Sequence, residues 1–283
     1  MTEPTSYQRY VPPPVPEATF KIVNLSPLQP FQWLFFGLKD LIAHWGIGLF
    51  YGCSFWLMYW VLMLIFKHQP EYTMSIISGC LLVGPFLTMG LYEVSRRRET
   101  GEVNSLGASA SSWEPHIKSM AMLILVLIVL ELLWGRASLV VFAVFFDTGF
   151  PSTASVLEAV FNQNNLEFVM AYTLVGGLFA FLVFSSSVVS IPLILERDSD
   201  AISACITSIR VVLKNPLSML IWGALLTVLV IASLLPMGLG IILVGPWLGH
   251  ATWHAYKAAV VWTHPPTRLE TNPNATVEQV TNN

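Results

Sequence analysis

His250 and His254 stand four residues apart in an apolar stretch, so on a helix their imidazoles share one face, the spacing at which a helix offers two ligands to a metal ion or haem iron. Flanked by Trp247, Trp253 and Tyr256, the same pair could instead hydrogen-bond at a membrane interface, or handle a proton or a substrate. Glu93 is the third candidate, because it lies eight residues beyond Pro85 just as His254 lies eight beyond Pro246. If the two ends of the chain pack together, Glu93 approaches His254 and could complete a metal site or carry protons. Its simpler role is to pair with Arg96 or Arg97 one turn on. Neutral imidazole serves zinc, copper and iron alike, so the cofactor stays unknown.

Glu131 and Arg136 are the ionisable residues deep inside an apolar segment, where an unpaired charge costs ~2.5–3.5 kcal/mol on insertion scales. They are expected to face the protein interior, either as a local pair or interface anchor or as part of a transport path. Enzyme signatures are absent from the sequence. Ser185, Ser186 and Ser187 have no neighbouring base and no GxSxG, and there is no phosphate loop or dinucleotide fingerprint, so no enzyme is expected. Cys53, Cys80 and Cys205 are widely spaced and read as packing residues.

These residues are set in a chain that is 54% hydrophobic and 11% charged, with a mean hydropathy of +0.64. A water-facing surface needs more charge, so the reading is an all-α integral membrane protein, with the lipid bilayer as its main partner. A net charge of -3 without a basic, aromatic-interleaved run argues against nucleic acid. Residues 1–26 are proline-rich and polar, carry no cleavable signal and read as a flexible tail; 27–264 form the membrane domain and 265–283 a second tail. Spans are expected at 46–66, 73–94, 119–145 (interrupted around Glu131, Gly135 and Arg136), 168–195, 216–234 and 239–262. An external loop at 147–167, with a short helix near 154–161, joins the third span to the fourth. The sequon at Asn274 reads as chance. Two amphipathic helices should lie on the membrane surface, one with Phe31, Leu34, Phe35, Leu38, Leu41 and Ile42 on its apolar face, the other with Ile202, Ile206, Ile209 and Leu213. Arg96, Arg97 and Arg98 end the second span and mark the cytoplasmic side. With both termini there, that side holds Arg9, Lys21, Lys39, Arg96, Arg97, Arg98, Lys118, Arg197, Arg210, Lys214, Lys257 and Arg268, leaving two of the 14 basic residues, Lys67 and Arg136.

The second and sixth spans share a motif. Leu82-Val83-Gly84-Pro85 recurs as Leu243-Val244-Gly245-Pro246, and residues 31–52 align without a gap on 202–223. Surface helix, span and Gly-Pro span thus form a unit that occurs twice in one direction, a parallel internal repeat of helices 1–2 and 5–6. Proline bends its helix and glycine lets a neighbour approach, so the matched kinks either frame a cavity or shape the bundle.

The phrases Gly-Leu-Tyr-Glu-Val-Ser-Arg-Arg (90–97), Ile-Pro-Leu-Ile-Leu-Glu-Arg-Asp (191–198) and Gly-His-Ala-Thr-Trp-His-Ala-Tyr (249–256) resemble an uncharacterised family of bacterial inner-membrane proteins, filed as domain of unknown function 2189, over roughly residues 30–262. The resemblance implies a Gram-negative cytoplasmic membrane and the six-helix layout, and brings no activity. The expectation is a non-enzymatic transport or membrane-assembly protein with a small polar cavity between two hairpin repeats, alone, with a membrane partner or as a homo-oligomer. The alternative is a metal or haem protein built on His250 and His254.

Overall fold

The second Gly-Pro stretch forms a helix, Ile241–Ala259, whose buried residues mix small ones, Gly249, Ala251, Ala255 and Ala259, with the larger His250, Trp253 and Tyr256. Small residues let neighbouring backbones come close, and the rest of the chain gathers on this helix. The computed structural model describes residues 20–68, 73–146, 166–235 and 237–262. In chain order these form β1 (Phe20–Ile22), α1 (Gln29–Ala43), α2 (Trp45–His68), α3 (Thr73–Thr100), α4 (Leu106–Ala110), a single 3₁₀ turn (Glu114–His116), α5 (Ile117–Phe145), α6 (Leu166–Ser187), α7 (Ser190–Arg197), α8 (Ala201–Lys214), α9 (Pro216–Leu234), the central α10 (Ile241–Ala259) and β2 (Val260–Trp262). The described chain is therefore helical apart from one two-stranded ribbon.

Helices α1, α2, α3 and α9 all touch α10, while α5, α6 and α8 form a second group joined to the first through α3 and α7. Two glycines set the closest crossings. A Cβ on Gly37 of α1 would fall 2.6 Å from the backbone nitrogen of Ala251, and one on Gly52 of α2 would fall 1.9 Å from the carbonyl oxygen of Ile242. The two Gly-Pro motifs differ here. Gly245 faces Phe55, at 2.8 Å from its would-be Cβ, whereas Gly84 has nothing within 4 Å, so only the second glycine serves a close approach among the described residues. Trp33 of α1 meets Trp222 of α9 edge-on at 5.6 Å and ties those helices in the core.

Among the described residues, four segments are long and apolar enough to cross a membrane: α2, the segment ending in α5, the segment of α6 and α7, and α9. The apolar faces expected of the two amphipathic helices are exposed in part, since Leu34 of α1 packs against the core and Leu41 is half-buried. Phe31, Phe35 and Ile42 of α1 and Ile202, Ile206 and Leu213 of α8 are all exposed.

Several elements depart from the sequence reading. Helix α5 runs unbroken from Ile117 to Phe145, because a lone glycine is tolerated inside a long apolar helix and no proline interrupts this one. The expected span 168–195 is two helices. Pro192 lacks the N–H that would bond the carbonyl four residues back, and the chain turns at Val188–Val189, where the Val189 amide donates to Ser208 Oγ at 3.1 Å. Helix α3 continues through its arginines to Thr100. Helix α10 stops at Ala259, and residues 260–262 pair antiparallel with 20–22. The stretch 20–26, placed in a flexible tail, is thus held: Asn215 Oδ1 accepts from the Leu25 amide at 2.8 Å, Asn215 Nδ2 donates to the Val23 carbonyl at 3.0 Å and Lys214 Nζ to that of Ile22 at 2.6 Å. The short helix near 154–161, most of the external loop, the sequon and most of both tails lie outside the described residues.

Candidate functional site

Helix α1 carries a second stripe beside its apolar face: Pro30, Trp33, Gly37 and Asp40 are its buried residues, spaced by three, four and three. Because Gly37 lets α1 settle on the α10 backbone, Asp40 one turn later is pressed into the seam with only 3% exposure. Three donors converge on its carboxylate. Ser95 Oγ of α3 donates to Oδ2 at 2.6 Å, His254 Nε2 of α10 lies 2.9 Å from the same oxygen, and Arg98 of α3 bonds Oδ1. Burial by itself would raise the Asp40 pKa, but the bonds from His254, Ser95 and Arg98 and the charge of His254 outweigh it and hold the carboxyl below its ordinary value.

Ser95 has one proton and gives it to Asp40, so its contact with His250 Nδ1 at 2.8 Å makes the imidazole the donor. His250 is then the neutral tautomer protonated at Nδ1. Its Nε2 lone pair is buried without a partner among the described residues. The order Asp40–Ser95–His250 differs from that of a nucleophilic triad, in which histidine sits between serine and carboxylate. Here the serine is in the middle and fully buried, with no face for a substrate.

On its other side His254 Nδ1 lies 3.7 Å from Glu99 Oε1. Burial raises the Glu99 pKa, against the pull of Lys257 and His254. The chain of polar contacts goes on through Lys257 Nζ, 4.0 Å from Glu99 and 2.7 Å from Glu196 of α7, to Tyr256, whose hydroxyl donates to Glu196. A cavity of about 310 Å³ opens onto this cluster and is lined by Phe36, Lys39, Asp40, Arg98, Glu99 and His254. The site therefore sets a histidine between two carboxylates whose environments push their affinities for a proton apart, an arrangement suited to passing a proton or holding a small charged solute.

The structure brings together His250 and His254, on α10 as expected, and adds Asp40, Ser95, Arg98 and Glu99. Glu93 does not join them. It is buried, and both its oxygens are taken by Arg96 (2.7 and 2.8 Å) and Arg97 (2.6 Å), so the local pairing weighed in the sequence is the one formed. Among the described residues no group of three or more His, Cys, Asp and Glu is arranged to hold a metal. Glu131 and Arg136 lie elsewhere, on α5. They form no ion pair with each other; Glu131 lines a separate pocket between α5 and α6, and Arg136 is exposed. Pro85 and Pro246 are both buried in the helices that carry them. Asp40 lies off the apolar face that spacing gives to α1. The signal that could have found it was the Trp33, Gly37, Asp40 spacing, a stripe as regular as the apolar one but easy to read as polar because it ends in an acid.

Residues 73–196 match the family described as "Predicted integral membrane protein (DUF2189)". The match covers the phrase at 90–97 and most of that at 191–198, while the phrase at 249–256 lies beyond it. Over these residues the resemblance holds, and the protein is an integral membrane protein with apolar helices. No curated protein and no solved structure matches the chain.

Proposed function

We propose that this is a non-enzymatic, multi-pass protein of the bacterial cytoplasmic membrane, of the transport kind, in which a proton enters or leaves at the Asp40–His254–Glu99 cluster. The observation that carries this reading is the polar cavity at the meeting of α1 with the two Gly-Pro helices, α3 and α10. Titratable groups in line whose proton affinities are shifted in opposite directions, as those of Asp40 and Glu99 are, mark sites that handle charge more often than sites that only pack.

The layout that goes with it has six spans, α2, α3, α5, α6 with α7, α9 and α10, with both termini and the Arg96–Arg98 end in the cytoplasm. The side holding 12 of the 14 basic residues supports that orientation. Cysteine labelling is expected to place residues 105 and 275 inside and 155 outside; labelling of 155 from the cytoplasmic face overturns it. For the parallel repeat, the C-terminal halves of α3 and α10 do come together at one end of the bundle, where Ser95 meets His250. The likeness is one of sequence and direction only, since α1 lies on α10 whereas α8 packs against α6 and α7.

The test uses the proton as probe. Proteoliposomes on a solid-supported membrane are given a pH jump from 7.5 to 6.5, and the wild type is expected to give a transient current that His254→Gln lacks. A wild-type trace equal to that of protein-free liposomes overturns the transport reading and leaves membrane assembly.

One atom favours a second reading. A histidine that ligates metal commonly donates its other ring N–H to a protein acceptor, and His250 has this form, with Nδ1 bonded to Ser95 and Nε2 unpartnered. It needs His254 to turn and a third donor to arrive. Equal metal content and absorption spectra for the wild type and His250→Ala/His254→Ala would remove it.

A further inference from the structure

Glu131 sits 13 residues beyond Lys118 on α5, about 20 Å along the helix at 1.5 Å per residue, which in the six-span layout puts its carboxyl deep in the bilayer. Among the described residues it has no ion-pair partner. It lines a pocket of about 510 Å³ between α5 and α6, together with Trp134, Phe179 and Phe184, and that volume lies within the range of sites that take drug-sized ligands.

The walls are preformed. Trp134 is packed edge-on against Tyr172 at 5.2 Å and tilted against Phe179 at 5.8 Å. Gly176 makes room for it, since a Cβ there would lie 3.1 Å from the indole. The hydroxyl of Ser187, at the pocket edge, is spent on the Val183 carbonyl at 2.7 Å, so the pocket offers an incoming group one acidic side chain and aromatic faces. A small hydrated ion would have to shed its water here without a cage of oxygens to replace it. A bulky cation with spread charge has little hydration to lose, gains cation–π attraction from the rings and supplies the counter-charge that favours an ionised Glu131.

We infer that the pocket between α5 and α6 is a binding site for a lipophilic organic cation, of the quaternary ammonium or phosphonium class, with Glu131 as its counter-ion and Trp134 as its stacking face. The site is separate from the Asp40 cluster, which shares no residue with it, and occupancy does not depend on the transport reading.

The probe is tetraphenylphosphonium, measured by equilibrium dialysis against the full chain in mild detergent, with triphenylphosphine oxide as a neutral aromatic comparison. The wild type is expected to bind the cation saturably at about one per chain. Glu131→Gln, which keeps the shape of the side chain, should weaken that binding at least tenfold, and Trp134→Ala should weaken it while Trp134→Phe largely restores it. Elution volume and melting temperature equal to wild type certify each variant as folded. His254→Gln should leave cation binding unchanged, which separates a failure here from a failure of the proton-handling site. Saturable binding that is indifferent to Glu131→Gln, a neutral compound bound as tightly as the cation, or no saturable binding to the wild type overturns the inference.

Discussion

Replacing Asp40 by asparagine keeps the size of the side chain and removes its charge, and the geometry fixes the cost. Three bonds to a carboxylate become bonds to an amide, and each loses about 1 kcal/mol, the difference between charge-assisted and neutral hydrogen bonds. Arg98, whose side chain is 40% exposed, recovers much of its share from water. The amide adds a conflict, because whichever way it turns its NH₂ faces a donor: Arg98 on one side, or Ser95 and His254 on the other. The sum is about 2–3 kcal/mol, or a melting temperature lower by ~4–12 °C at ~2–4 °C per kcal/mol. The pH dependence follows from the direction of the Asp40 shift. Its folded pKa lies below the ordinary value of 3.8, so its contribution is complete above that value and lost only as pH falls through the still lower folded pKa. Melting of the purified chain in mild detergent, followed by tryptophan fluorescence from pH 8 to pH 5, should therefore show a gap between wild type and Asp40→Asn that persists to the acid end of the range. A gap below 1 °C, or one that closes between pH 7 and pH 5, would refute a charged, triply bonded Asp40.

Four further substitutions test the packing of the helices and the ion pairs beside the site. Gly52→Ala forces α2 off α10, because its Cβ would meet the Ile242 carbonyl oxygen at 1.9 Å; a loss of about 1–3 kcal/mol is expected. Gly84→Ala, with open space around it, should be neutral or stabilise by ~0.5–1 kcal/mol, and equal melting of the two variants would contradict the difference in space around Gly52 and Gly84. Asn215→Ala removes the side-chain bonds to Leu25, Val23 and Val211 at a position 6% exposed; about 2–3 kcal/mol should be lost, with faster proteolysis near residues 20–26 as the readout. Glu93→Gln strips Arg96 and Arg97 of their shared buried partner, and should lower stability by about 1–2 kcal/mol without changing the pH-jump current, whereas a lost current would bring Glu93 back into the site.

Composition and periodicity are enough for part of this fold. Apolar runs of fixed length give helices of membrane size whatever they pack against, and most of the exposed apolar residues of α1 and α8 follow from helical spacing alone. The same spacing places His250 and His254 on one helix face, because that is a property of the helix itself. Which residue stands opposite another is settled only when the helices pack. Asp40 is separated from Ser95 by 55 residues and from His254 by 214, and nothing in the local pattern distinguishes an acid that faces water from one lowered into a seam. The difference is Gly37, whose missing side chain lets α1 approach α10, and that contact exists only once both helices are in place. The same reasoning explains Glu93. Its distance from a proline matched that of His254, but two arginines within one turn were nearer than any group across the bundle, and short-range pairing won. Pro192 could have shown the break between α6 and α7 in advance, since the missing N–H is local, whereas the pairing of residues 20–22 with 260–262 needs the ends of the chain to meet and leaves no periodic trace in either.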